Sequence, residues 1–306
     1  MEILVAGGTG FIGTNLCAEL AERGHEVTAL SRSPDAGELP AGVDSAMGDV
    51  SAYDSIVDVV TGCDAVVNLV SLSPLYKPPR GKTHEEVHLG GTENLVRAAE
   101  AGGVDRFLQM SGLGADPNGD TAFLRSKGKA EGVVRDSSLA WTIVRPSVVF
   151  GDGAEFLEFT KTVTTPHVTG LPGGGKTRFQ PIWVGDLVPM LADALADDAH
   201  AGETYELAGP EVLTLADVTK MAYAAEGKDV TIVPVPMGLS KLGLSAVGPI
   251  PFVPFGPDQA RSLEVDNTTT DNDITAFGRD PTELTTLGVY LGLEDAGSRV
   301  QAVETA

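Results

Sequence analysis

Val5-Ala6-Gly7-Gly8-Thr9-Gly10-Phe11-Ile12-Gly13 is the stretch whose reading decides the fold. It follows an apolar run, Ile3 to Val5, and leads into a segment of helical character, Asn15 to Arg23. Gly7, Gly10 and Gly13 fit a G-x-x-G-x-x-G spacing, and Gly8, Gly10 and Gly13 also fit G-x-G-x-x-G. Glycines permit a tight turn and a close approach of the backbone to another group. A turn between a strand and a helix also aims N–H groups and the positive helix end at an anion. The anion this context suits is a pyrophosphate, so Gly7, Gly8, Thr9, Gly10, Phe11, Ile12 and Gly13 are read as a dinucleotide-binding turn. The stretch says nothing about the chemistry that follows.

Outward from the turn, His25 to Leu30 alternates as a second strand. NAD-preferring sites usually carry an acid at the end of that strand. Here the end reads Ser31-Arg32-Ser33, with no acid until Asp35. Arg32 can meet a 2′-phosphate through a charge-assisted bond, so NADP(H) is favoured over NAD(H). Val43 to Gly48 reads as a third strand, followed by Asp49 and Val50 where an adenine would lie. Asp49 can equally cap a helix over Ala52 to Val60. Ala65 to Val70 is a continuous apolar run, typical of a buried parallel strand. It brings Leu69, Val70 and Ser71 to the carboxyl edge, where ligands sit. Ser73 to Lys82 is a proline-rich loop over that edge, and Tyr76 within it reads as a surface residue.

Thr83 to Ala101 has helical spacing and is stopped by Gly102-Gly103. Arg106 to Met110 reads as a strand ending in Ser111-Gly112, Thr121 to Asp136 as a helix, and Trp141 to Val144 as a strand ending in Arg145-Pro146-Ser147. This alternation predicts an α/β, Rossmann-type doubly wound parallel sheet over residues 1–151. After Gly151 the rhythm changes. Helices are expected at Phe156 to Val163, Asp186 to Leu195 and Leu215 to Ala225, strands at Glu203 to Leu207 and Val230 to Val235, and a glycine-rich turn at Gly170 to Gly175. Residues 152–293 are read mainly as a small C-terminal α+β lobe, with some later segments returning to the first domain, and 294–306 as a flexible tail. Met237 to Phe255 is apolar but broken by Gly and Pro, which suits a lobe helix and loop, a greasy lid or a docking surface.

Composition narrows the function classes. The 306 residues carry 43 acidic against 21 basic side chains, a net charge of −22. Such a surface repels nucleic acid, and the self-repulsion suggests adaptation to high salt, where charge is screened. Hydrophobic content of 42 % argues against a largely disordered chain. No window is long and apolar enough for a membrane span, and the start of the chain does not read as a signal peptide. A cytoplasmic protein is the expectation. Cys17 and Cys63 read as buried free thiols, with no metal site.

The chain resembles the extended, atypical short-chain dehydrogenase/reductase superfamily, from Ile3 to about Leu291. Within it, the chain is most similar to the NADPH-binding accessory-subunit family of respiratory complex I and its free-standing prokaryotic relatives. The motifs carrying this are Gly7 to Gly13, Gly91-Thr92-Glu93-Asn94-Leu95, Arg106 to Ser111, and Arg125-Ser126-Lys127 with Ala130-Glu131. Arg145 to Gly151, Gln180 to Asp186 and Tyr205 to Pro210 complete them. The resemblance implies a serine, a tyrosine and a lysine as catalytic groups, the last two spaced Tyr-x-x-x-Lys. Ser111 and Lys127 fit the serine and lysine, but the tyrosine position is Phe123, which has the ring and no proton to give. The family's Arg-Pro segment lines the cofactor–substrate junction mainly through its backbone, which adds Pro146 and Val148 to the expected cofactor contacts. Lys127 is expected to anchor the nicotinamide ribose.

Three readings follow. One is an NADP(H)-holding scaffold or redox sensor, weakly or non-catalytic. Another is an active oxidoreductase or epimerase-like enzyme on an apolar carbonyl or hydroxyl substrate, with Tyr76 or water as donor. The third is an interaction subunit with a vestigial pocket. The resemblance implies a respiratory-complex or membrane-peripheral protein partner, a place at the inner face of the membrane, and room for an oligomer. Other polar residues receive bland readings: Arg145 as a structural ion-pair residue, His88 as a surface or half-buried helix residue, and Asp186 as the cap of its helix.

Overall fold

Seven short segments pair as one parallel sheet. They are β1 (Glu2–Ala6), β2 (Glu26–Ser31), β3 (Val43–Met47), β4 (Ala65–Asn68), β5 (Arg106–Met110), β6 (Ala140–Pro146) and the later β11 (Glu203–Leu207). The computed structural model describes residues 1–34, 39–236, 257–262 and 264–295. The spatial order is β11-β6-β5-β4-β1-β2-β3, so the chain reverses its direction of travel across the sheet between β1 and β4. Ligands of open α/β sheets sit outside the carboxyl ends of the strands at such a point. The register sets Ala6 beside Leu30 on one side and beside Asn68 on the other. The turn after β1 therefore opens at the switch point.

Both faces of the sheet are covered, which explains the unbroken apolar runs of β1 and β4. On one face α1 (Phe11–Glu22) and α6 (Val184–Ala196) pack with Leu16, Leu20, Leu187 and Leu191 against Ile3, Val5 and Val67. On the other, α2 (Val57–Val60), α3 (Gly91–Gly102) and α4 (Ala122–Arg135) cover Leu4, Val66, Phe107 and Ile143. The expected helix over Ala52 to Val60 is broken: a 3₁₀ turn at Tyr53–Ser55 precedes α2. The expected helix from Thr83 likewise begins as a π-helical stretch, Glu85–Gly90, before it becomes α3. Wide turns of this kind often mark functional sites.

Beyond Gly151 the chain divides its work. Segments α6 and β11 return to the sheet, and β11 pairs Glu203–Leu207 with Thr142–Pro146 of β6. The remainder forms a third cluster in which Phe150, Phe156, Phe179, Leu215, Val218 and Leu287 are buried together. It is built from α5 (Glu155–Val163), α7 (Leu215–Ala224) and paired short strands. Two-residue strands β7 (Val149–Phe150) and β10 (Ile182–Trp183) pair in parallel, and β9 (Arg178–Phe179) and β12 (Leu213–Thr214) pair antiparallel. The longer β8 (His167–Pro172) pairs in parallel with β13 (Val230–Val235). The glycine-rich segment expected as a turn from Gly170 thus begins as strand, and the turn itself is Gly173 to Gly175, all three at positive φ.

Asp186 does not cap α6. The N-cap is Trp183, and the Asp186 carboxylate instead accepts the backbone N–H of Thr285 at 2.7 Å. That bond belongs to a polar belt laid down by the C-terminal segment. Asp273 accepts the N–H of Glu206, and Asn272 bonds both the N–H and the C=O of Ala208. Side chains thereby satisfy part of an otherwise open sheet edge. The Met237 to Phe255 segment and residues 296–306 lie outside the described residues, as does Asp35. No described helix is long and apolar enough to cross a membrane.

Candidate functional site

The glycines after β1 serve different physical ends. Gly7 turns the chain at φ 83°, a conformation L side chains rarely adopt. A Cβ at Gly13 would lie 2.1 Å from the carbonyl oxygen of Gly7, and one at Gly8 would lie 2.7 Å from Cβ of Ala29. These two glycines let the turn pack on itself and on β2. Gly10 differs: an added Cβ would meet only the Gly7 oxygen, at 3.3 Å, and otherwise face the cleft. The helix starts immediately after it, at Phe11, so the unpaired N–H groups of the first turn lie beside that empty space. This is a cradle that a side chain would fill and a phosphate suits.

From the cradle a cleft of about 560 Å³ runs along the carboxyl edge of the sheet. Gly7, Gly10, Phe11, Ile12, Gly13, Leu69 and Ser71 line its first part; Ser111, Phe123, Lys127, Pro146 and Val148 line the next. The remaining expected positions do not line it. Gly8 lies beneath the turn, and Val70 packs against the core. Val50 is buried against the position of Gly91, so toward a ligand it offers backbone only. Ser31 ends β2 alongside Met47 of β3, and its buried hydroxyl has no hydrogen-bond partner. The exposed Arg32 follows it, and Thr9 is exposed at the tip of the turn. Asp49 accepts the N–H and hydroxyl of Ser51 and meets the Lys82 ammonium at 3.3 Å. Although burial opposes it, these contacts hold the Asp49 carboxyl below its ordinary range. Lys82 also bonds Ser51 and Glu86, so it pins the proline-rich loop to the far rim.

At the other end of the cleft three positions converge. Ser111, just past β5, is 5 % exposed, and its hydroxyl has no partner. Lys127 is 2 % exposed, and its ammonium donates to the Met110 carbonyl at 3.0 Å. Burial pushes its pKa down to about 8, against the pull of Glu131 one turn further along α4. Phe123 stands one turn before Lys127. A side chain at Gly112 would touch its ring at 3.6 Å, which places the ring beside the segment carrying Ser111. Ser111, Phe123 and Lys127 are thus brought together, with an apolar ring at the position for which the resemblance implies a tyrosine.

That ring is caged. His84 and His88 meet it edge-on, at centroid distances of 5.8 and 5.4 Å and angles of 89° and 90°. His88 is not a surface residue; it is 2 % exposed. Its Nε2 accepts the N–H of Leu72 at 2.8 Å, which leaves Nδ1 as the protonated nitrogen facing Ser126 Oγ at 2.9 Å. Ser126 passes its own hydrogen to the Phe123 carbonyl. Burial first, then Lys127 and His84, keeps His88 neutral well below its usual pKa. His88 therefore clasps the loop after β4 to α4, and sequence periodicity had no way to show that.

Tyr76, weighed as a displaced phenol, packs edge-on against Phe159 at 5.5 Å and is not among the cleft-lining residues. Arg145 bonds Glu131 through two nitrogens, at 2.8 and 2.7 Å, and Glu131 is 1 % exposed. This pair, half-buried at Arg145 and buried at Glu131, backs Lys127 rather than facing a ligand. Asn267 was missed altogether. It lines the cleft, and its Oδ1 accepts the N–H of Val148 at 2.7 Å. It sits in the polar run Asp266-Asn267-Thr268-Thr269, which reads as loop from sequence. Among the described residues no cluster suited to a metal ion is present, and Cys17 and Cys63 are free.

Comparison with known proteins agrees with this geometry. A model of an NAD(P)H-binding family matches residues 7–169, more than half of the chain, and the chain belongs to that family. It is 29 % identical to the mitochondrial NADH dehydrogenase (ubiquinone) 1 alpha subcomplex subunit 9 of Arabidopsis thaliana, over 88 % of this chain and 71 % of the relative. It is 28 % identical to the NAD(P)H azoreductase of Xenophilus azovorans, over 80 % of this chain and 81 % of that protein. The fold matches a UDP-glucose 4-epimerase of Thermus thermophilus solved with NAD, at a TM-score of 0.71 and 21 % identity, over 98 % of this chain and 100 % of that one. The architecture is that of an NAD(P)-binding, short-chain-dehydrogenase-like protein related to complex I accessory subunits.

Proposed function

We propose that the chain holds NADP(H) along the carboxyl edge of its sheet as a scaffold or redox sensor and turns it over weakly or not at all. The pyrophosphate lies at the Gly10 cradle and the first turn of α1. The 2′-phosphate lies by Arg32, with Ser31 next to it. Asp49 and the Val50 backbone flank the adenine, while Lys127, Pro146 and Val148 meet the nicotinamide end. The orphaned hydroxyls of Ser31 and Ser111 support this fit, because buried polar groups without partners are expected where a ligand completes them.

The observation that carries the catalytic part is Phe123. When bound, the cofactor supplies hydride chemistry, but the proton must come from elsewhere. The ring beside Ser111 has none, His88 has both nitrogens engaged, and Lys127 divides its N–H groups between Met110 and the nicotinamide ribose. Loss of a positioned acid removes much of roughly 10²–10⁴-fold in rate. The test pairs two measurements. NADPH should raise the melting temperature, and Phe123→Tyr should raise NADPH oxidation against a carbonyl panel by about tenfold or more. A wild-type rate that Phe123→Tyr leaves unchanged or lowers would sink the proposal.

The likeness to an azoreductase favours a second reading, an active reductase in which water reaches Ser111 and serves as donor. Substantial wild-type turnover would select it. The likeness to a complex I subunit supports a respiratory or membrane-peripheral protein partner. Copurification of the full chain with respiratory subunits tests that part, and recovery free of them at native expression removes it.

A further inference from the structure

The loop after β4 is fastened at its start, its middle and its end. At the start, the Leu72 N–H donates to His88 Nε2 at 2.8 Å. In the middle, Tyr76 crosses to the C-terminal lobe and meets Phe159 of α5 edge-on. At the end, the Lys82 ammonium donates to Ser51 Oγ at 2.8 Å, Glu86 Oε1 at 3.1 Å and Asp49 Oδ2 at 3.3 Å. His88 and Glu86 both belong to the π-helical stretch Glu85–Gly90, so the two ends of the loop are tied to one short segment. Between them Ser73, Pro74 and Leu75 form part of the cleft wall. Residues 71–82 are thus a strap along the cleft.

The Lys82 fastening differs from the other two in its surroundings. The side chains of Asp49 and Lys82 are 33 % and 23 % exposed, so water screens the pair and its parting costs little. Asp49 Oδ1 already accepts the N–H and the hydroxyl of Ser51. When Lys82 leaves, water therefore replaces it at Oδ2. A group seated on Asp49 removes that water. Parting the pair then leaves a covered carboxylate without its cation, which costs far more than parting it in water. Whatever covers Asp49 also holds the strap down, and by reciprocity a strap held down retains what covers Asp49.

We propose that Lys82 is a positioning residue that couples the adenine end of the cleft to the strap. Adenosine against Asp49 and the Val50 backbone locks the Lys82 pin, and the pin fixes Ser73, Pro74 and Leu75 as wall. This rests on the reading of Asp49 and Val50 as neighbours of a dinucleotide's adenine. It gives the chain a way to sense that a dinucleotide is present from its adenosine half alone.

The experiment uses the full chain and 2′,5′-ADP, which carries the adenosine and its phosphates and has no nicotinamide. Calorimetry establishes saturation in each protein, and hydrogen exchange is followed at the amides of Ser73, Leu75, Tyr76 and Lys77. In the wild type, saturating 2′,5′-ADP should slow that exchange by about fivefold or more, the size of an ordinary coupling between sites. Lys82→Met keeps the aliphatic stem and should abolish the slowing, and Lys82→Arg should restore part of it. Lys82→Met should also speed NADPH dissociation several-fold. Urea midpoints check folding, and Asp49→Asn, which removes the pin from its other side, replaces Lys82→Met if that variant does not fold. A lysine with a merely structural role would raise exchange equally with and without ligand, and an unchanged ratio overturns the inference. So does a wild type that binds 2′,5′-ADP with no slowing at the strap, or NADPH dissociation that folded Lys82→Met leaves unmoved. Failure of both 2′,5′-ADP and NADPH to bind overturns the dinucleotide reading and the coupling with it, whereas the other adverse results overturn the coupling alone.

Discussion

The two ends of the cleft are built on opposite principles. At the glycine turn the side chains have been removed, so that backbone packs on backbone and N–H groups point into space. At the Phe123 end the side chains are large and most of their polar atoms are engaged with one another, the His84 Nδ1 and the Ser111 hydroxyl excepted. His88 links Leu72 to Ser126, Ser126 links to Phe123, and Lys127 links to Met110. One end leaves backbone N–H groups unpaired; the other commits most of its polar hydrogens to neighbouring groups. If the proposed function holds, holding a nicotinamide dinucleotide and reacting with it are separable properties of the same sheet edge.

Substitution at the turn should break the first end most severely. Gly13→Ala drives a methyl into the Gly7 carbonyl and should cost about 3 kcal/mol of stability, read by urea unfolding, together with cofactor binding. Gly10→Ala should leave unfolding nearly unchanged yet weaken NADPH by tenfold or more, since its methyl enters only the cradle. If Gly10→Ala binds NADPH as well as wild type, the pyrophosphate is not there. Next in size, Arg32→Ala should lower the preference for NADPH over NADH by about tenfold, the worth of a charge-assisted bond. A protein that prefers NADH from the start removes the role of Arg32.

At the other end the sharper handle is pH. Burial holds Lys127 at about 8, with Glu131, His84 and His88 as its charged or titratable neighbours. Its ammonium is present below that value and lost above it. If Lys127 anchors the ribose, NADPH affinity should be flat from pH 6 to 7.5 and fall by about fivefold by pH 9. Lys127→Met should abolish that slope, and a slope that survives the substitution belongs to another group. The smallest expected effect concerns the whole surface. With a net charge of −22, the melting temperature should rise by a few degrees between low and molar KCl as repulsion is screened. A flat series would remove the high-salt reading.

Much of this is legible in the sequence, and for a definable reason. The glycine spacing, the strand runs ending at Ser71, Ser111 and Pro146, and the Phe123–Lys127 interval are local patterns with fixed geometry. The chain's own periodicity shows them. His88 was misjudged because a histidine on a helix looks alike whether it faces water or a neighbouring helix. The π-helical stretch that aims it at Phe123 leaves no pattern in composition. Asp186 was misjudged because capping is a local rule, while its actual partner, Thr285, lies 99 residues away. Asn267 escaped because a run of Asn, Asp and Thr reads as loop until the strands it satisfies are seen beside it.

By itself, then, the sequence determined the doubly wound sheet, the glycine turn between β1 and α1 and the absence of a phenol one turn before Lys127. Each follows from steric rules acting over a few residues. Only the tertiary structure decided that β11 and α6 return to the sheet, that two histidines enclose Phe123, and that a C-terminal belt carries Asn267 into the cleft. Those contacts join residues far apart in the chain. Their energy lies in burial and in hydrogen bonds that exist only once the core has closed around them.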